Sequence, residues 1–141
     1  MLIEQVKFDN LNALKEKDQV KRDVLTVVIG KYMNVCIEKK AKGQDATDAD
    51  MLSVIQKTIK ELSDARVGYH TVNKEDKVKE IDTQISILNA YLPRQLTEDE
   101  VRDIINNNHL ETVPDVMKFF KENYAGQVDM SMVSRVARED K

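Results

Sequence analysis

The stretch Tyr91-Leu92-Pro93-Arg94-Gln95-Leu96-Thr97-Glu98-Asp99-Glu100 ends one long helix and begins another. Pro93 has no backbone N–H to donate, and its ring collides with the carbonyl four residues back. A helix running into Tyr91 and Leu92 must therefore stop there. Thr97 reads as an N-cap: its hydroxyl can accept from the N–H of Glu100 while the Glu100 carboxylate accepts from the N–H of Thr97. Leu96 can staple onto Val101 across the same turn. A second unit thus begins at about residue 94 and divides the chain into 1–93 and 94–141.

Working outward in both directions, apolar residues recur at spacings of three and four and never alternate for long. The spacing predicts seven helices and no strand, an all-α fold. In the first helix Ile3, Val6, Leu11 and Leu14 form the expected inner face, and Asp18 caps the next segment. The second runs from about 19 to 41 with Leu25, Val28, Ile29, Tyr32, Val35 and Cys36 inward, and Gly43 suits its exit. Thr47 with Asp50 makes another capping box ahead of a third helix, whose stripe is Met51, Leu52, Ile55, Ile59, Leu62 and Arg66. That helix fades through Gly68, Tyr69 and His70 toward Asn73, a residue able to take the left-handed conformation of a tight reversal. The fourth carries Val78, Ile81, Ile85, Leu88 and Leu92, the narrow seam of a helix packed lengthwise on partners in a bundle.

Beyond Pro93 the helices are short. Val101, Ile104, Ile105 and Leu110 define the fifth. Pro114 opens the sixth, with Val116, Met117, Phe119, Phe120 and Tyr124, and Gly126 ends it. Asp129 caps the seventh, which carries Met132, Val133 and Val136. The expected architecture is an N-terminal bundle of about four helices followed by a small C-terminal three-helix domain.

Composition excludes several function classes. A third of the 141 residues are charged, and the chain has 4 Gly, 2 Pro and a single cysteine, Cys36, so no internal disulfide can form and a reducing compartment is the natural setting. No run approaches the roughly 18 apolar residues of a membrane span, and the N-terminus lacks a basic region followed by an apolar one. The expected setting is cytoplasmic, with no membrane partner. Residues 1–93 carry equal numbers of basic and acidic side chains, so the whole excess behind the net charge of −3 falls in 94–141. A general nucleic-acid binder shows the opposite sign, and any RNA contact must rest on local patches.

Catalytic constellations are missing. His70 and His109 lie far apart, each at a predicted turn or helix end, and no Cys/His spacing fits zinc. Cys36, between Val35 and Ile37 in a long helix, reads as a small hydrophobe, not an activated nucleophile. With glycine only at 30, 43, 68 and 126 there is no phosphate-cradling loop, so neither a cofactor nor a metal is expected. Glu98, Asp99 and Glu100 are explained by capping and the helix dipole. Two cation clusters, Lys15, Lys17, Lys21 and Arg22, and then Lys39, Lys40 and Lys42, read as solvated surface. Lys118, Lys121, Arg135, Arg138 and Lys141 fall on predicted outer faces of two consecutive helices and are the candidate phosphate-contacting stripe.

An ordered set of residues resembles the YqeY family, small bacterial proteins related to the tail of the GatB subunit of the glutamine-dependent aminoacyl-tRNA amidotransferase. The set starts with Lys15-Glu16-Lys17-Asp18 and Val24-Leu25, then Lys60, Asp64, Tyr69 and Glu75-Asp76. It continues through Tyr91-Leu92-Pro93, Gln95-Leu96-Thr97 and Glu100 to Val116-Met117, Gly126 and Asp129, and so covers nearly the whole chain. The resemblance implies a bundle followed by a tail-like three-helix domain. It also implies association with carbon–nitrogen ligase activity using glutamine as amido donor, through contact with tRNA, a tRNA-handling protein or an amidotransferase subunit. The family's free-standing members lack the catalytic body. The chain departs from the family at Thr26, often Arg, and around Gly126, where Glu122-Asn123-Tyr124-Ala125 and Gln127-Val128-Asp129-Met130-Ser131 replace more basic stretches. A charge-poor loop has few donors for phosphate. The leading expectation is a non-catalytic module binding tRNA or a tRNA-handling partner through Lys118, Lys121, Arg135 and Arg138. The alternatives are a protein-interaction adaptor without RNA binding and an accessory part of an amidotransferase complex.

Overall fold

The computed structural model describes residues 1–139. Among them are seven helices and no strand: α1 (Leu2–Glu16), α2 (Gln19–Ala41), α3 (Asp48–Thr71), α4 (Glu75–Asn89), α5 (Glu98–Asn107), α6 (Val113–Asn123) and α7 (Met130–Glu139). None is long and apolar enough to cross a membrane. The helices group into two compact units that part between Tyr91 and Leu92.

Helix ends in the N-terminal unit follow local chemistry. Asp18 accepts from the N–H of Lys21 at the start of α2, and Thr47 and Asp50 form the reciprocal capping box that opens α3. Lys17, Gly43 and Asn73 occupy the left-handed region where α1, α2 and α3 end. α3 does not fade at Gly68; it runs to Thr71 before Asn73 turns the chain.

The N-terminal core is built from Val6 and Ala13 of α1, Val24, Leu25, Val28 and Tyr32 of α2, Met51, Val54 and Ile55 of α3, and Val78, Ile81 and Leu88 of α4. Full burial of each Leu, Ile or Met here stabilises the fold by about 2 kcal/mol. Two sequence expectations are corrected. Leu11 and Leu14 are half exposed, and Ala13 takes their place in the core. From Val6, seven residues bring the helix back to Ala13, whereas Leu11 and Leu14 are turned well off that line. Leu92 is not part of the α4 seam, because α4 ends at Asn89. Pro93 disfavours helical geometry at Leu92, and the last turn unwinds through Ala90 and Tyr91.

Polar cross-links fix the register. The buried Thr58 hydroxyl donates to the Val54 carbonyl, and Lys31 reaches both Thr58 at 3.4 Å and Glu61 at 2.6 Å. Arg66, expected on the inner stripe of α3, is bonded to Asp82 of α4 at 2.6 Å. Gln84 donates to the Val20 carbonyl, and the Tyr91 hydroxyl donates to the Asp9 carboxylate, which ties the end of α4 to α1.

Candidate nucleic-acid interface

The C-terminal unit carries the whole expected phosphate-contacting stripe, including Lys118, Lys121, Arg135 and Arg138, so its construction decides what they can do. Its core is Val101, Ile105, Val116, Phe120, Val128, Val133, Val136 and Ala137, with Leu96, Leu110 and Phe119 packed against it. Phe119, Phe120 and Tyr124 form an aromatic cluster with ring centroids 5.5 to 6.2 Å apart. Leu110 contributes from beyond the end of α5, not from within it.

Each helix starts where the sequence places it. Thr97 and Glu100 make the capping box of α5, and Arg94 grips the same Glu100 carboxylate with two bonds of 3.0 Å. The Arg94 guanidinium and the Thr97 N–H hold the Glu100 carboxyl below its ordinary range. Thr112 caps α6 with Pro114 in the first turn, and Asp129 accepts from the N–H of Ser131 at the start of α7. Gln95 donates to the carbonyls of Pro93 at 2.9 Å and Gly126 at 2.7 Å, while the Leu96 N–H donates to the Gln127 carbonyl. The motif residues Gln95 and Leu96 thereby pin the turn at Gly126, whose positive φ of 77° suits glycine. That turn presents Gln127 and a buried Val128, with no cation between Tyr124 and Asp129.

Lys118 and Lys121 are exposed on α6; Arg135 and Arg138 are exposed on α7. They do not stand in one environment. Lys118 borders a depression whose lining also includes His109 and the carboxylates of Glu111, Asp115 and Glu122. Lys121 lies in the last turn of α6, where a cation suits the helix dipole, and has no ion-pair partner among the described residues. Arg135 and Arg138 share a second depression with Glu139. Arg135 is bound to Glu98 of α5, and Arg138 folds back on Ser134, reaching its hydroxyl at 2.7 Å. Lys141 lies outside the described residues.

Around Arg135 runs a network that sequence reading missed. Glu98 also accepts from Arg102, which in turn bonds Asp99 at 3.1 Å and Glu139 at 2.9 Å. The bond to Glu139 and the nearby carboxylates raise the Arg102 guanidinium's pKa above its ordinary value. The spacing of Glu98 and Arg102, four apart on one helix, signals part of this network, but the partners on α7 lie 37 residues away. His70 contacts Glu75 at the end of α3, and His109 has a φ of 52° in the turn after α5.

The chain matches the model of the YqeY family, described as Yqey-like protein, over residues 3–140. No curated protein sequence matches it.

Proposed function

The chain belongs to the YqeY family, and on that premise we propose that it is a non-catalytic helical module that binds tRNA, or a protein that handles tRNA, through the C-terminal unit. The observation that carries this reading is the pair of exposed cations Lys121 and Arg138, neither of which has a carboxylate partner among the described residues. In a unit with more acidic than basic side chains, these two have the freedom to meet phosphate. Lys118 and Arg135 are secondary contributors, since the first borders a depression lined in part by carboxylates and the second must be released from Glu98. A titration with tRNA at low and moderate salt tests the RNA form of the reading.

A second reading, a protein-interaction adaptor without RNA binding, is favoured by the charge-poor turn that Gln95 and Leu96 hold at Gly126. Affinity capture from lysate with and without ribonuclease separates the two, because an adaptor keeps its partner once RNA is gone. The accessory role in an amidotransferase complex requires glutamine-dependent amide transfer that depends on the chain only when other subunits are present.

A further inference from the structure

Exposed apolar surface is concentrated in one part of the molecule. Among the described residues, seven of the nine large apolar side chains that stand exposed lie within the first 41 residues, on or beside α1 and α2. On α2, Thr26, Gly30, Met33 and Ile37 recur at spacings of four, three and four, and all are exposed, with Ile37 at 66 %. They lie on the side of α2 away from Leu25, Val28 and Tyr32, so the helix has a buried apolar seam and, away from it, an exposed stripe whose large apolar members are Met33 and Ile37. α1 runs alongside, with the Asn10 side chain 3.5 Å from the Thr26 hydroxyl, and it exposes Phe8, Leu11 and Leu14.

Gly30 is the sharpest clue. A glycine inside a helix weakens it, and here, beyond its chain neighbours and the backbone of its own helix turn, nothing comes within 4 Å of where a Cβ would stand. The chain's own packing gives no reason for it. A notch beside exposed Met and Ile at seam spacing suits the close approach of another helix.

Charge indicates which helix. Residues 1–43 hold nine Lys and Arg against six Asp and Glu, in a chain whose total is −3. Lys7, Lys15, Arg22 and Lys40 fall beside the exposed apolar residues and have no ion-pair partner among the described residues; the Arg22 Nε is buried and unbonded. The carboxylates of this segment are mostly engaged. Glu4 pairs with the N-terminal ammonium, Asp9 accepts from Gln5 and Tyr91, Asp18 caps α2, and Asp23 accepts from Gln19, which leaves Glu16 and Glu38.

We propose that the outer face of the α1–α2 hairpin is a docking surface for an amphipathic helix of a partner protein whose apolar stripe is flanked by acidic residues. A second copy of this face would set cation against cation. A bilayer calls for a broad apolar face on one helix, not a narrow seam with a notch. The inference does not depend on tRNA binding by the C-terminal unit.

The test uses the full chain and two synthetic helical peptides of about 18 residues, with Leu at three-four spacing and either Glu or Lys elsewhere, read by fluorescence anisotropy. The Glu peptide should bind with a Kd of tens of micromolar, about tenfold or more tighter than the Lys peptide. Two separate variants, Met33→Gln with Ile37→Gln and the single change Gly30→Trp, should each weaken it about tenfold, with circular dichroism unchanged. Equal binding of both peptides, binding of neither, or variants that bind like the parent would overturn the proposal. So would preferential binding to phosphatidylglycerol vesicles, or a dimer in light scattering that both variants abolish.

Discussion

Arg135 of α7 and Glu98 at the start of α5 are bound to each other, so a cation that reads from sequence as free for phosphate already has a carboxylate partner. Any ligand phosphate must compete with Glu98, and the exchange gains little when both groups are near the surface. Glu98→Gln removes that competitor and loosens one of the bonds of Arg102. The variant should bind tRNA about two- to fivefold more tightly, with a steeper dependence on salt, because another phosphate contact becomes available. Its stability, read by urea unfolding, should fall by less than about 1 kcal/mol, since the pair is largely exposed.

Tyr91 donates to Asp9 at the last residue of the N-terminal unit, and Gln5 donates to the other carboxylate oxygen at 3.0 Å. Tyr91→Phe removes a half-buried bond to a charged acceptor and should cost about 1 to 2 kcal/mol in urea unfolding, with the C-terminal unit unaffected. Burial, reinforced by Asp9, raises the Tyr91 phenol well above the usual tyrosine range. A raised pKa in the folded state means that this stabilisation is complete below about pH 10 and is lost as the pH rises beyond it. The parent should therefore lose stability more steeply than Tyr91→Phe in strong alkali, and absorbance at alkaline pH should show a late tyrosine ionisation that the variant reduces.

Acid acts on the capping boxes. Burial pushes the Asp50 carboxyl upward, but the bonds from Lys39 at 2.9 Å and from the Thr47 N–H outweigh it and hold the pKa below the ordinary value. Glu100 is held low by Arg94 and Thr97. A depressed folded-state pKa gives stability that is present above about pH 4 and lost as the pH falls through the folded value. Asp50→Asn and Glu100→Gln should each flatten the acid limb of the stability curve and leave its alkaline limb in place. Thr97→Ala, which removes the cap itself, should destabilise the C-terminal unit by about 1 kcal/mol at neutral pH.

Gly30→Ala should stabilise the chain by about 0.5 to 1 kcal/mol in thermal unfolding, because the site is helical and open. A loss of stability on this change would mean that the exposed face of α2 is packed in solution.

Features written in contiguous residues were readable from sequence. The capping boxes of Thr47 with Asp50 and Thr97 with Glu100, the Pro114 start and the left-handed Asn73 each depend on chemistry within a few positions. The α1 face was misread because Leu11 and Leu14 outweigh Ala13 in hydrophobicity, while helix geometry puts only Ala13 in line with Val6. The candidate site was legible as residue types and not as an arrangement. Lys118 and Lys121 on α6, with Arg135 and Arg138 on α7, are exposed, but Arg135 is held by Glu98 of α5, and Glu111 from the turn after α5 lines the depression beside Lys118. The Arg135–Glu98 pairing is set by tertiary packing, and spacing along the chain does not encode it. The same holds for the clamp of Gln95 on the Gly126 carbonyl, which joins two family-like segments 31 residues apart.

The most direct measurement is a titration of the full chain and of Lys121→Gln with Arg138→Gln against tRNA at two salt concentrations. The account predicts micromolar binding by the parent that weakens with salt, and a loss of about tenfold in the double variant with a shallower salt slope. No salt-dependent binding at micromolar protein, or a double variant indistinguishable from the parent, would contradict it.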